Sequence, residues 1–111
     1  MFSVAVDYDK EQLDSAVAGI EKQFPTDIEY IRYTLDEDWT HDPALFFRVL
    51  LKDRAGAQLD VFDDPRSQAV FSLCNRIMSD IRTAVRYTHL QPYFVFRWAS
   101  EQAKRCDPEW E

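Results

Sequence analysis

Apolar side chains recur along the chain with two different periods, and the period assigns each segment. Leu13, Ala16, Val17, Ile20 and Phe24 fall at i, i+3, i+4, i+7 and i+11, one stripe along a helix. Asp9, with Gln12 three residues on, supplies capping-box spacing at its start. Pro25 ends it, because proline disfavours helical geometry in the residue before it. A second stripe, Val70, Leu73, Cys74, Ile77, Met78, Ile81, Ala84 and Val85, lasts about six turns at 3.6 residues each. Asp64-Pro65 is its start signal. Three segments rich in β-branched and aromatic residues predict strands: Ile28 to Leu35, Ala44 to Lys52 and Tyr93 to Ala99. Phe2, Val4 and Val6 alternate as a short strand would, and Gln58 to Asp63 fits either an edge strand or an early helical turn. The polar run Asp36 to Pro43 (DEDWTHDP) reads as a long acidic hairpin loop, and the last dozen residues as a packed or frayed tail.

The resulting order is α-β-β-α-β, or β-α-β-β-α-β with the Phe2 to Val6 segment included. The longer order is that of ferredoxin-like split βαβ sandwiches, and the shorter resembles the minimal core of nucleotidyltransferases in fold pattern. Either way the expectation is one α+β domain over residues 1–111, a mostly antiparallel sheet of three or four strands with two helices on one face.

Alternation splits each strand into two faces. Ile31, Tyr33, Leu35, Leu45, Phe47, Val49, Leu51, Phe94, Phe96 and Trp98 carry no charge and must face the helices. The opposite set is Ile28, Tyr30, Arg32, Thr34, Phe46, Arg48, Leu50, Lys52, Tyr93, Val95, Arg97 and Ala99. It places one arginine near the middle of every strand, among aromatic and apolar neighbours. An ordinary solvent-facing sheet shows Thr, Lys, Glu and Gln instead. Three readings fit: arginine stems lying over aromatics and paired locally, a homodimer or partner interface, or an anion pocket of guanidinium groups. Arg32, Arg48, Arg97, Tyr30, Phe46, Tyr93 and Trp39 are the candidate binding residues.

Composition narrows the function classes. The 111 residues are 46% hydrophobic and 30% charged, and 20 acidic against 13 basic side chains leave a net charge of −7. A whole-molecule grip on nucleic acid is therefore not expected. An RNA-binding sheet of the RRM type also lacks its Lys/Arg-Gly-aromatic run here. Two glycines, Gly19 and Gly56, cannot build a glycine-rich phosphate loop. Two isolated cysteines, Cys74 and Cys106, suggest neither a disulfide framework nor zinc. With no signal-peptide pattern at Met1 and no run of ~20 apolar residues, a cytoplasmic protein away from membranes is expected.

Asp36, Asp38 and Asp42 in the acidic loop are candidate ligands for a hard cation. The Asp36/Asp38 spacing matches the paired carboxylates of a nucleotidyltransferase, but no Gly-Ser turn precedes it and Ala44 to Phe47 stand where another acid belongs. His41 and His89 accompany no hydrolase motif. No catalytic residue and no cofactor is expected, and binding is favoured over turnover.

Glu37-Asp38-Trp39-Thr40-His41-Asp42-Pro43-Ala44-Leu45-Phe46-Phe47-Arg48, and Leu90-Gln91-Pro92-Tyr93-Phe94-Val95-Phe96-Arg97 with Ser100-Glu101-Gln102, resemble two runs in a family of small bacterial proteins with no assigned activity. Some of those are encoded beside HEPN-domain proteins, so the resemblance implies an antitoxin-like or partner role. The glycine of that pattern near His41 is absent here. The combined expectation is a protein-interaction or regulatory module that self-associates or docks a protein through the Arg32/Arg48/Arg97 face. The alternative is a degenerate nucleotidyltransferase-like or phosphate- and nucleotide-binding protein using the carboxylate-rich loop.

Overall fold

The computed structural model describes residues 8–53 and 65–111. Helix α1 (Lys10–Gln23) starts where Asp9 accepts from the Gln12 N–H at 3.0 Å, the predicted cap. Strand β1 (Ile28–Glu37) turns into β2 (Pro43–Leu51), helix α2 (Pro65–Val85) follows, and β3 (Gln91–Trp98) leads into a short third helix, α3 (Ala99–Arg105). Single 3-10 turns follow α2 at Arg86–Thr88 and α3 at Pro108–Trp110. The suggested strand at Phe2 to Val6 and the ambiguous Gln58 to Asp63 segment lie outside the described residues, as does Asp64. Among the described residues no helix is long and apolar enough to cross a membrane.

The α+β class and the α-β-β-α-β succession are present, with α3 added. The sheet order is β1-β2-β3, and it is mixed. β1 pairs with β2 antiparallel and β2 with β3 parallel, which corrects the expectation of a mostly antiparallel sheet. The reason is length. The 21 residues of α2 advance about 31 Å at 1.5 Å per residue, and the nine of β2 about 30 Å. The helix thus carries the chain back to the end where β2 began, and β3 sets out beside β2 in the same direction, as a long crossover permits.

The helix-facing set assembles as alternation required. Leu13, Val17, Ile20 and Phe24 of α1 and Val70, Leu73, Cys74, Ile77, Ile81 and Val85 of α2 pack with Ile31, Leu45, Phe47, Val49 and Leu51 of the sheet. Phe47 lies at the centre, with the Tyr33 ring at 5.5 Å and the Phe94 ring at 5.7 Å on either side. Such ring pairs contribute about 1 kcal/mol each beyond their buried area.

Two expected positions change. Ile28 belongs to this core and not to the open face, because a bulge between Ile28 and Tyr30 turns the start of β1 over. The hairpin loop is also shorter than the polar run suggested, since β1 continues through Asp36 and Glu37. At the outer edge of β1 the Glu21 carboxylate accepts the Ile31 N–H at 2.8 Å, so α1 occupies one donor of an otherwise open strand edge.

Candidate functional site

Register places the open-face side chains in four cross-strand rows: Tyr30, Leu50, Arg97; Arg32, Arg48, Val95; Thr34, Phe46, Tyr93; and Asp36, Ala44, Gln91. The three arginines do share this face. They do not share one environment.

The first row is covered by the chain's own C-terminal segment. Arg97 is only 8% exposed, with its guanidinium 4.4 Å from the centroid of the Trp110 ring. Arg97 Nη1 donates to Gln102 Oε1 at 2.6 Å and pairs with Asp107 Oδ2 at 3.5 Å. Gln102 Nε2 donates to the Asp107 carbonyl at 2.8 Å, and the Tyr30 hydroxyl donates to the Trp110 carbonyl. Trp110 therefore bridges from β3 to β1 across Leu50, and both Trp110 and Leu50 are buried. Burial first, and Glu111 next, push the Tyr30 phenol above its ordinary value. For Arg97 this is the local-pairing reading of the sequence, carried out by a tail whose role the sequence did not reveal. A lone tryptophan among acidic residues near Asp107-Pro108 was the available signal.

The second row is open. Arg32 and Arg48 stand directly opposite in the β1–β2 ladder, and Val95 beside them is 55% exposed. Arg32 lays its guanidinium over the Tyr30 ring at 4.1 Å and makes one long bond to the Ile31 carbonyl, 3.4 Å. Arg48 Nη1 donates to the Thr34 hydroxyl at 3.3 Å, while its Nε is buried and has no acceptor. Neither guanidinium forms an ion pair among the described residues. The two side chains leave the row in opposite directions, Arg32 toward Tyr30 and Arg48 toward Thr34.

The third row is aromatic. Phe46 and Tyr93 stack with centroids 5.2 Å apart, and Trp39 meets Tyr93 edge-on at 5.3 Å. Trp39 stays 75% exposed, so it stands beside the sheet's end and does not close over it. Together the rows floor a concavity of about 1000 Å³, bordered by Asp36, Glu37, Glu109 and Glu111.

The acidic loop is organised around Asp38. Its Oδ1 accepts from the Thr40 N–H at 2.8 Å, the Thr40 hydroxyl at 2.6 Å and the Asp42 N–H at 3.2 Å, and its Oδ2 accepts from Tyr93 at 3.0 Å. The Asp38 N–H closes the turn on the Asp42 carbonyl at 2.9 Å. These bonds, the Thr40 hydroxyl foremost, hold the Asp38 carboxyl below the usual aspartate range. Burial, then the bond to Asp38, raises the Tyr93 phenol. Asp42 Oδ2 is engaged by Thr40, and Asp36 Oδ1 takes the Glu37 N–H. Asp38 and Asp42 thus help close the turn and Asp36 the strand end, and no cluster of three metal-ligating side chains forms among the described residues. His41 has φ 67°, a left-handed conformation that glycine adopts freely and a residue with a Cβ seldom does, and its ring meets Glu37.

For binding, the site offers two guanidinium groups without an ion-pair partner among the described residues, a hydroxyl, an aromatic shelf and exposed apolar surface. His89 lies against the loop with Thr40, Gln91 and Tyr93. No family model, no curated protein and no solved structure matches this chain.

Proposed function

We propose that the protein is an interaction or regulatory module of the cytoplasm, antitoxin-like in mode, which docks a partner protein on the open face of its sheet. The observation that supports this most is the exposure of Val95 on a concave surface beside Arg32 and Arg48, which form no ion pair among the described residues, with exposed Trp39 at the Tyr93 end. Arginine, tryptophan and tyrosine are the residue types that concentrate at the centres of protein interfaces, and exposed apolar surface on a folded domain marks contact sites. A concave face fits a convex partner better than a second concave face. A homodimer through this surface therefore requires a protruding part of the second copy, such as the Trp39 hairpin tip, to enter it. The molecule's net charge of −7 suits a basic partner surface around the contact, with association that slows as salt rises.

The test is site-specific photocrosslinking in the native host. A photoreactive phenylalanine analogue at Val95 is expected to trap one discrete protein, or a second copy, while the same group at Ser79 on the exposed side of α2 traps none. Unlabelled protein should compete, and the Val95→Glu variant should not. Equal trapping from both positions, or none from Val95, overturns the reading.

A further inference from the structure

We infer that the outer edge of β1 is self-complementary, and that two copies of the chain pair there, antiparallel about a two-fold axis at Thr34. The contact is made by the strand edge and not by the concave face, so this inference and the docking reading are tested apart.

Alternation fixes which backbone groups point outward. The Ile31 N–H leaves the sheet to meet Glu21 at 2.8 Å, while the Asp38 N–H turns inward to the Asp42 carbonyl. Ile31, Tyr33, Leu35 and Glu37 therefore present their N–H and C=O groups to the outer edge. Both ends of that row are occupied. At Ile31, Glu21 takes the N–H, and the Arg32 guanidinium reaches the carbonyl at 3.4 Å. At Glu37 the N–H goes to Asp36 Oδ1 at 2.7 Å. Between them, the backbone groups of Tyr33 and Leu35 meet no described residue on that side. Free ladder groups on an edge recruit another strand, and proteins blunt them where pairing is unwanted. Here the blunting stops at equal distances on either side of Thr34.

That symmetry is what a second copy needs. Pairing about Thr34 sets Tyr33 against Leu35 of the second copy, and Leu35 against its Tyr33, each pair exchanging both backbone bonds. Centring on Tyr33 would oppose Leu35 to Ile31, whose N–H Glu21 holds, and centring on Leu35 would oppose Tyr33 to Glu37, whose N–H Asp36 holds. On the open face the Thr34 register places Arg32 opposite Asp36 of the second copy, and Asp36 opposite its Arg32. Both side chains are exposed, and neither forms an ion pair within its own chain among the described residues. Thr34 meets Thr34, a favourable cross-strand pair. On the helix side, a groove of about 560 Å³ runs between α1 and this edge beside Tyr33 and Leu35, with room for the same two side chains of the second copy.

The experiment measures mass by sedimentation equilibrium of the full chain from about 1 μM to about 300 μM, which brackets an interface of small area. Wild type is expected to move from monomer toward dimer, less so at high salt. Arg32→Asp and Asp36→Arg each set like charges across the axis and are expected to weaken self-association about tenfold. Asp36→Arg reduces the molecule's net negative charge, so general repulsion does not account for that loss. Mixed in equal amounts, the two variants again oppose aspartate to arginine at both sites, and the mixture should regain wild-type association. In a Cys106→Ser background, Thr34→Cys is expected to oxidise to a covalent dimer, and Glu29→Cys, further along the same strand, to remain monomeric. Monomer throughout the range overturns the proposal. So does a dimer that both charge reversals leave intact, a mixture no tighter than its components, or Glu29→Cys crosslinking as readily as Thr34→Cys.

Discussion

Arg97 and Trp110 face each other at 4.4 Å, guanidinium over indole, with Arg97 Nη1 also held by Gln102. This contact decides which arginines of the open face are available. It withdraws Arg97 from solvent and fixes the end of the chain across the Tyr30–Leu50–Arg97 row. Arg32 and Arg48 are left as the only arginines of the three without a carboxylate partner among the described residues.

Removing the indole tests that clasp. Trp110 is 3% exposed, and Trp110→Ala is expected to lower unfolding free energy by about 3 kcal/mol, the lower end for deletion of a buried aromatic at a segment that can collapse. Urea denaturation measures it. A change below about 0.5 kcal/mol, the level of ordinary surface substitutions, would mean that the segment is not docked in solution.

Arg48→Met should behave in the opposite sense. It removes a buried Nε–H with no acceptor, so stability is expected to rise by about 1 kcal/mol. Arg97→Met, by contrast, breaks bonds to Gln102 and Asp107 and should cost about 1–3 kcal/mol. Parallel denaturation of the two variants gives the comparison. Equal losses from both would show that Arg48 is structurally satisfied after all.

The hairpin predicts a pH dependence. The Asp38 carboxyl titrates below its unfolded value because Thr40, Asp42 and Tyr93 donate to its ionised form. The unfolded chain therefore binds the proton more readily, and stability from this group is present above the unfolded pKa and lost as pH falls through the folded one. Wild type and Asp38→Asn should converge in stability as the medium is acidified from about pH 5 downward. Thermal midpoints across that range check it. A constant gap at all pH values would locate the effect elsewhere.

His41→Gly should stabilise the loop. A left-handed φ of 67° costs a residue with a Cβ but not glycine, and the gain is about 0.5–1 kcal/mol after the lost Glu37 contact is subtracted. A rise in the midpoint of urea unfolding is the expected result. A fall would assign the His41–Glu37 contact more weight than the backbone.

The faces of the sheet were legible in the chain because alternation leaves little freedom once one side is buried. Ile31, Leu45, Phe47, Val49 and Leu51 are where period two puts them, and the bulge at Ile28 was not, since a bulge has no signature in composition. The parallel pairing of β2 and β3 follows from the reach of α2 and not from either strand, so strand-by-strand reading missed it. In the acidic loop the sequence showed carboxylates but not their orientation. Asp38 turns inward to close its own hairpin.

Sequence by itself determined the two helices, the three strands, their order and the sharing of one face by Arg32, Arg48 and Arg97, because side-chain period and cap chemistry act over a few residues. Tertiary structure alone decided that β3 runs parallel to β2, that Trp110 lies on Arg97, and that Arg32 and Arg48 form no ion pair among the described residues. Those outcomes join residues far apart in the chain, and they depend on where a crossover helix ends and where a tail comes to rest. No local pattern encodes that.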